Sequence, residues 1–289
     1  MITDPRLAAL PCWQGPIRAE ALPGGLSNAI WKVTDAAGAH VVRFGAEYPF
    51  HHVDRAREAM VARAAHAAGF APAVEYTAPG VMVTAFVTAH TWTANDLRAD
   101  PERVGHLLRR FHTVMPGRIE GAAFLFWPFH VIRDYLRQLG PDAPPGMAAL
   151  NAALEATQPP LPLIFGHNDL LAANFLDDGT RLWLIDYEYA GFGTAMFDLA
   201  GAASNAGMDG AQARALLGAY LGNAPDADYL RAFDAMQVAS LLRETLWAHV
   251  SGLHLSAPGV DYAAYARENA AKLATATDTY QTQHGKLIP

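Results

Sequence analysis

Phe165-Gly166-His167-Asn168-Asp169-Leu170-Leu171-Ala172-Ala173-Asn174-Phe175, followed by Leu184-Ile185-Asp186-Tyr187-Glu188-Tyr189, is the stretch on which the reading of this chain turns. Between the two strings, Phe175-Leu176 is a short apolar step, Asp177-Asp178-Gly179-Thr180 has turn chemistry, and Leu182-Trp183-Leu184-Ile185 has the composition of a buried strand. The pattern predicts a small hairpin, because two apolar runs flank a Gly-containing polar turn. A turn, a strand and a second turn can bring Asp169, Asn174 and Asp186 to one cleft edge. Asp and Asn are common loop residues, so any one of them alone carries little information. Their joint spacing around a hairpin is the informative feature. Asn174 offers a neutral oxygen and Asp186 an anionic one, a donor set that suits a hard divalent cation.

Working outward, the N-terminal side reads as β-rich. Leu22-Pro23-Gly24-Gly25-Leu26-Ser27-Asn28 is turn-like, and Ala29 to Thr34 and His40 to Phe44 are two strands around the turn Asp35-Ala36-Ala37-Gly38. Arg43 shares parity with Val41, so it faces one side of the sheet while Val42 and Phe44 face the other. Asp54 to Ala68 reads as a helix stopped by Gly69. Ala73 to Thr77 and Val81 to Thr84 form a second two-strand pattern around Ala78-Pro79-Gly80. From Thr91 onward helical patterns dominate. Val104, Leu107, Leu108 and Phe111 mark one amphipathic helix, and Ala211 to Leu221, Asp228 to Leu255 and Tyr262 to Thr275 read as others. On the long helix, Leu242, Leu246, His249 and Leu253 form a stripe expected to face the core. Ser240, Arg243, Glu244, Trp247 and Ser251 form another, expected to wall a cleft. Adjacent His51 and His52 point apart in regular structure and read as a surface loop.

The hairpin residues match what phosphoryl transfer requires. That chemistry needs a hydroxyl placed in line with the γ-phosphate, and divalent metal to neutralise phosphate charge. Asp169 can orient the attacking hydroxyl and accept its proton. Asn174 and Asp186 can hold Mg.

The strings Gly166-His167-Asn168-Asp169-Leu170 and Ile185-Asp186-Tyr187-Glu188-Tyr189 resemble the choline/ethanolamine kinase branch of the aminoglycoside-phosphotransferase superfamily. The resemblance covers nearly the whole chain. It implies an α+β, two-lobed protein-kinase-like fold. Residues 1–87 would form a nucleotide-binding N-lobe of antiparallel sheet with one main helix. Residues 88–289 would form a larger helical C-lobe carrying the hairpin, the catalytic residues and the substrate site. It also implies ATP and Mg as cofactors, with transfer of the γ-phosphate to a small-molecule hydroxyl. Gly24-Gly25-Leu26-Ser27-Asn28 is similar to the family's nucleotide loop, so Ser27 and Asn28 become candidate ATP ligands. Arg43 matches the phosphate-binding cation, and Glu58 its helix partner. The adenine pocket is implied near Thr84 to Ala89. Trp247 matches an aromatic residue that choline-type kinases place against the amine. Tyr262 and Tyr265 resemble the segment that follows it. Glu188, Arg243, Glu244, Trp247 and Tyr262 are the candidate substrate residues. His167 and Asp198 are expected to brace the catalytic loop.

Departures temper the choice of acceptor. After Phe197-Asp198-Leu199-Ala200, the chain continues Gly201-Ala202-Ala203-Ser204-Asn205, where choline kinases carry Asn-His and an acid. Arg243 disfavours a cationic substrate unless an acid such as Glu244 pairs it. Choline or ethanolamine is the first expectation. An aminoglycoside, thiamine or a sugar is the second. A non-catalytic pseudokinase is the third, opposed by the intact Asp169, Asn174 and Asp186.

Composition agrees. The chain has 289 residues, 52% hydrophobic and 17% charged, enough for a large core and unlike a disordered chain. Its 28 acids against 21 bases give a net charge of −7, which argues against nucleic acid or anionic membrane as partner. Cys12 is the only cysteine, so no intramolecular disulfide or cysteine zinc site can form. Neither a signal peptide nor a membrane span is visible, and the expected location is cytoplasmic.

Overall fold

The computed structural model describes residues 4–22, 29–122, 124–256 and 260–287. Most of the glycine-rich segment, including Ser27 and Asn28, lies outside the described residues. In chain order the elements are α1 (Pro5–Ala8), β1 (Arg18–Ala21), β2 (Ala29–Thr34), β3 (Ala39–Phe44), α2 (Arg55–Ala67), β4 (Val74–Ala78), β5 (Val81–Ala85) and β6 (His90–Thr91). Then come α3 (Ala94–Ala99), α4 (Pro101–Val114), α5 (Pro128–Leu139), α6 (Met147–Ala156), β7 (Leu163–Gly166), β8 (Phe175–Asp177), β9 (Leu182–Leu184) and β10 (Gly191–Thr194). Four helices follow: α7 (Ala195–Ala206), α8 (Gly210–Leu221), α9 (Ala227–His254) and α10 (Tyr262–His284).

The chain divides into two compact units, one of residues 1–91 with 175–188 and one of residues 92–174 with 189–289. The division therefore falls at Thr91, not 87, and the hairpin expected within the C-lobe belongs to the first unit. Backbone hydrogen bonding is the reason. β6 pairs with β8, β8 pairs with β9, and the Leu184 amide donates to the Phe70 carbonyl at 2.8 Å.

The first unit is built on an antiparallel sheet of order β1-β2-β3-β5-β4. In β3 the burial alternates as the period of a strand requires. Val42 and Phe44 join Leu7, Val33 and Val83 in a core, and Arg43 points to the opposite face, as its parity predicts. Asp54 caps α2 by accepting from the Arg57 amide, and Gly69 follows the helix with φ 79°. The buried face of α2 is Ala59, Val61, Ala62 and Ala65, with Glu58 among them at 0% exposure. A charged side chain buried to that degree must be paired, and its partners define the site described below.

His40 ties this sheet together. Its Nδ1 lies 2.5 Å from Glu75 Oε2 and its Nε2 3.1 Å from Asp35 Oδ1. Burial alone pushes the ring's pKa down. The hydrogen bonds and charges of Glu75 and Asp35 outweigh it, so the pKa stands above its ordinary value.

The second unit is helical around the β7–β10 ribbon, which sequence reading did not predict. β10 carries glycines at 191 and 193 because the backbone of residues 124–126 runs directly against it. The Phe126 amide donates to the Phe192 carbonyl at 2.7 Å, and a Cβ on Gly193 would lie 2.6 Å from the Phe126 carbonyl oxygen. The long helix α9 is buried on nearly every side. Leu242 and Leu246 face the core as expected, but Leu253, in the last turn, is 56% exposed. His51 and His52 also depart from expectation. They form a tight turn with His52 at φ 62°, and His51 is buried. Helix α10 runs past Thr275 to His284, continuing its packing on α9.

Asp198, near the start of α7, is the buried anchor of this unit. Its Oδ2 accepts from the His167 amide at 2.7 Å and meets His112 Nε2 at 2.8 Å, while Oδ1 accepts from the Asn168 amide at 2.6 Å. Burial pushes its pKa up. The His112 hydrogen bond, the charges of His112 and His167 and the His167 amide more than offset this and hold the carboxyl below its usual value. Asp198→Ala leaves two buried amides and the Nε2 of His112 unpaired and is expected to cost about 3 kcal/mol in urea unfolding. For His40, a raised folded pKa gives stability that is complete below 6.5 and is lost as pH rises through the folded value. Between about pH 6 and about pH 9 the wild type is therefore expected to lose more thermal stability than His40→Gln. Parallel melting curves across that range would refute it.

Candidate active site

The residues singled out by the sequence fall into two clusters, one in each unit. In the second unit, β7 ends at Gly166 and the chain turns sharply through Asn168, which has φ 63°. A non-glycine residue in the left-handed region persists only where its surroundings hold it. Here the Asn168 amide is bound by Asp198, and its side-chain Nδ2 donates to the Tyr189 carbonyl at 3.1 Å. The turn delivers Asp169. Asn174 closes the same loop, its Nδ2 donating to the Asp169 carbonyl at 2.8 Å. That bond commits the amide nitrogen and leaves Oδ1 as the ligand atom Asn174 can offer.

A narrow pocket adjoins Asp169, lined also by Asn205, Ser240, Arg243 and Glu244. Arg243 is 4% exposed. Its Nη1 is 3.0 Å from Glu244 Oε2 and 3.9 Å from Asp169 Oδ1, and its Cζ stands 4.3 Å from the centroid of the Tyr189 ring. Burial lowers a guanidinium's pKa, but the surrounding Tyr135, Glu244, Tyr189 and Asp169 outweigh it and Arg243 stays charged. Trp247, one turn along α9, is 8% exposed and donates from Nε1 to the Tyr189 hydroxyl at 2.9 Å. Its ring packs edge-on against Tyr262 and Tyr265 of α10, both at 6.1 Å between centroids. Trp247 and Tyr262 are thus packed against one another.

In the first unit the paired charges surround Glu58. Its Oε2 accepts from Arg43 Nη2 at 2.6 Å and from Arg55 Nη1 at 2.8 Å. Arg55 Nη1 also donates to Glu188 Oε2 at 2.8 Å. Arg43 Nη1 lies 3.8 Å from both Asp186 Oδ1 and Glu188 Oε2, within ion-pair reach but beyond a hydrogen bond. Two guanidinium groups thus face three carboxylates. Burial and the neighbouring Asp186 charge push Glu188 up to about 7, and burial likewise raises Asp186. Asp186 adopts φ 67°, the second strained position among the candidate residues. A cavity of about 390 Å³ opens beside Arg43, lined also by Arg55, Arg63 and Thr77, with Glu47 as its acid. An anionic group entering it meets three cations and one carboxylate.

A divalent ion fits this chemistry. Among the described residues the Asp186 Oδ1 is buried without a hydrogen-bond partner, and the acids around it exceed the bases. A hard cation would satisfy that oxygen and reverse the upward push on both carboxyls.

The first unit brings together Arg43, Glu58, Asp186 and Glu188. The second brings together Asp169, Asn174, Arg243, Glu244, Trp247 and Tyr262. Glu188, expected at the substrate, has its carboxylate held by Arg55. Arg55 itself was missed as a site residue. Its signal was the i,i+3 spacing to Glu58, which places both on one side of α2. Tyr189 was missed too. It holds Asn168 through its carbonyl, Trp247 through its hydroxyl and Arg243 through its ring.

The phosphotransferase enzyme family, APH, matches residues 18–234. A probable ethanolamine kinase of Arabidopsis thaliana is 27% identical over 207 residues, 62% of this chain, and the chain spans 54% of that relative's length. A choline/ethanolamine kinase family protein from Mesorhizobium loti superposes with TM-score 0.76 at 30% identity, covering 96% of this chain and 92% of that one. The choline kinase LicA from Streptococcus pneumoniae matches in fold, with TM-score 0.72 at 18% identity over 89% of this chain and 94% of its own. These likenesses carry the protein-kinase-like α+β fold that the catalytic strings implied. On the family match and the Mesorhizobium likeness together, the chain belongs to the phosphotransferase enzyme family, in its choline/ethanolamine kinase branch.

Proposed function

We propose that the protein is an ATP- and Mg-dependent kinase that phosphorylates the hydroxyl of a small amino alcohol, ethanolamine or choline first. The observation that carries this reading is Asp186. It stands in a strained turn beside the Arg43–Glu58 pair, with a buried carboxylate oxygen that lacks a hydrogen-bond partner among the described residues. Such an arrangement is costly unless a cation completes it.

In this reading Asp169 receives the proton of the acceptor hydroxyl as the new oxygen–phosphorus bond forms and the bond to the departing ADP oxygen breaks. Asn174 and Asp186 are the ligands of the divalent ion, which supplies charge neutralisation on the phosphates. Arg43, held in one rotamer by Glu58, places a fixed cation toward phosphate oxygens. Ser27 and Asn28 contribute to holding the nucleotide. The pocket beside Asp169 carries more carboxylate than guanidinium, with Asp169 and Glu244 around Arg243, which favours a singly cationic acceptor. Arg243 is the observation that keeps a second acceptor class in view, a hydroxyl compound with an acidic or neutral polar group.

ATP consumption measured across ethanolamine, choline, an aminoglycoside, thiamine and simple sugars tests the assignment. Ethanolamine or choline is expected to be turned over. Silence with both, and turnover of another compound, overturns the acceptor half of the reading. Asp169→Asn and Asp186→Asn are each expected to lower kcat by about 10³-fold in a folded protein, as loss of a general base or of a fixed transition-state charge does. A well-folded Asp186→Asn enzyme with full activity would remove Asp186 from the metal site. Arg43→Ala is expected to raise the KM for ATP by about tenfold or more, read at subsaturating nucleotide, since a charge-assisted phosphate contact is lost.

A further inference from the structure

Arg243 is a buried charge to which the proposed proton transfer gives no direct part. Taking a guanidinium out of water is costly, so its surroundings must give it a defined position. The Nε and Nη2 groups have no hydrogen-bond partner among the described residues. Its orientation rests on the Nη1 contact to Glu244 Oε2, on the face of Tyr189 and on the buried Tyr135 beside it. Glu244 is fixed in turn. Its other oxygen, Oε1, accepts from the Tyr265 hydroxyl at 2.8 Å, so both carboxylate oxygens are engaged. The far end of the chain is Asp169, 3.9 Å from the same Nη1, a charge contact without a hydrogen bond.

From this geometry we infer that Tyr265, Glu244 and Arg243 form a positioning relay for Asp169, running from α10 through α9 to the catalytic loop. Tyr265 holds Glu244, Glu244 sets the guanidinium, and the guanidinium confines the Asp169 carboxylate to the orientation in which it meets the acceptor hydroxyl. Arg243 and Glu244 line the pocket beside Asp169, and in this relay their effect on the reaction is exerted through the Asp169 carboxylate. Each Glu244 oxygen already holds one donor inside the relay, and the pocket's net negative charge comes from Asp169, Asp198 and Glu244 against Arg243. The inference rests on Asp169 being the base of the proposed reaction.

Tyr265→Phe tests it with the least disturbance, because it removes one oxygen and keeps the ring that packs on Trp247. With ethanolamine or choline as acceptor, kcat is expected to fall about tenfold while the acceptor KM stays within about twofold, the signature of a misplaced catalytic group. Glu244→Gln should lower kcat likewise, and the double variant should be no worse than the weaker single one, since both cut the same chain. Arg243→Lys should recover part of the activity lost in Arg243→Met. A raised acceptor KM with kcat intact would mean direct substrate contact and overturn the relay, as would unchanged kinetics. If the wild type turns over no acceptor, the proposed function has failed on its own. The relay then stands or falls on the Asp169 carboxyl ¹³C resonance, identified by its loss in Asp169→Asn. That resonance should shift in folded Tyr265→Phe, and an unmoved resonance overturns the relay.

Discussion

One buried carboxylate, that of Asp198, organises the second unit of the molecule. It collects the amides of His167 and Asn168 and the imidazole of His112, so β7, α4 and α7 meet at a single charge. A carboxylate with several donors is stable in a low-dielectric interior, whereas any of those donors left alone would be costly. The consequence is directional. With its amide captured, Asn168 is held in the left-handed region, and the following residue, Asp169, is delivered to the pocket instead of continuing the strand. Everything proposed for Asp169 presumes this anchor.

Glu58 does comparable work in the other unit, but as a shared anion. Arg43 and Arg55 both donate to the same oxygen, and Arg55 goes on to Glu188. A guanidinium so tied loses little further entropy when it meets a phosphate. The excess of acid around Asp186 is the counterpart. Burial raises both Asp186 and Glu188, because it disfavours their charged forms. The overall negative charge of the chain thus has a local concentration here, in Glu58, Asp186 and Glu188.

Much of this was readable beforehand. The parity of Arg43 against Val42 and Phe44 follows from the two-residue period of a strand, and its pairing with Glu58 followed from a family resemblance. The β8–β9 hairpin was legible because Asp177 to Thr180 has unambiguous turn chemistry. The β7–β10 ribbon was not, because β10 is Gly191-Phe192-Gly193-Thr194, whose glycines serve a neighbouring backbone and weaken the strand signal. The surface expectation for His51 and His52 failed because adjacency says nothing about a left-handed turn at the second residue.

By itself, the sequence determined which residue types are available and how they repeat: the Asp169, Asn174 and Asp186 spacing, the strand and helix periods, and the polar stripe on α9. Those are properties of near neighbours along the chain. Only the tertiary structure decided which charges are shared. Arg55 joins Glu188 across 133 residues, Tyr265 reaches Glu244 from another helix, and Trp247 turns its indole N–H to Tyr189 and packs on α10. A side chain's spacing announces its face, but its partner is set by the elements that fold against that face. For buried charges the partner decides the chemistry.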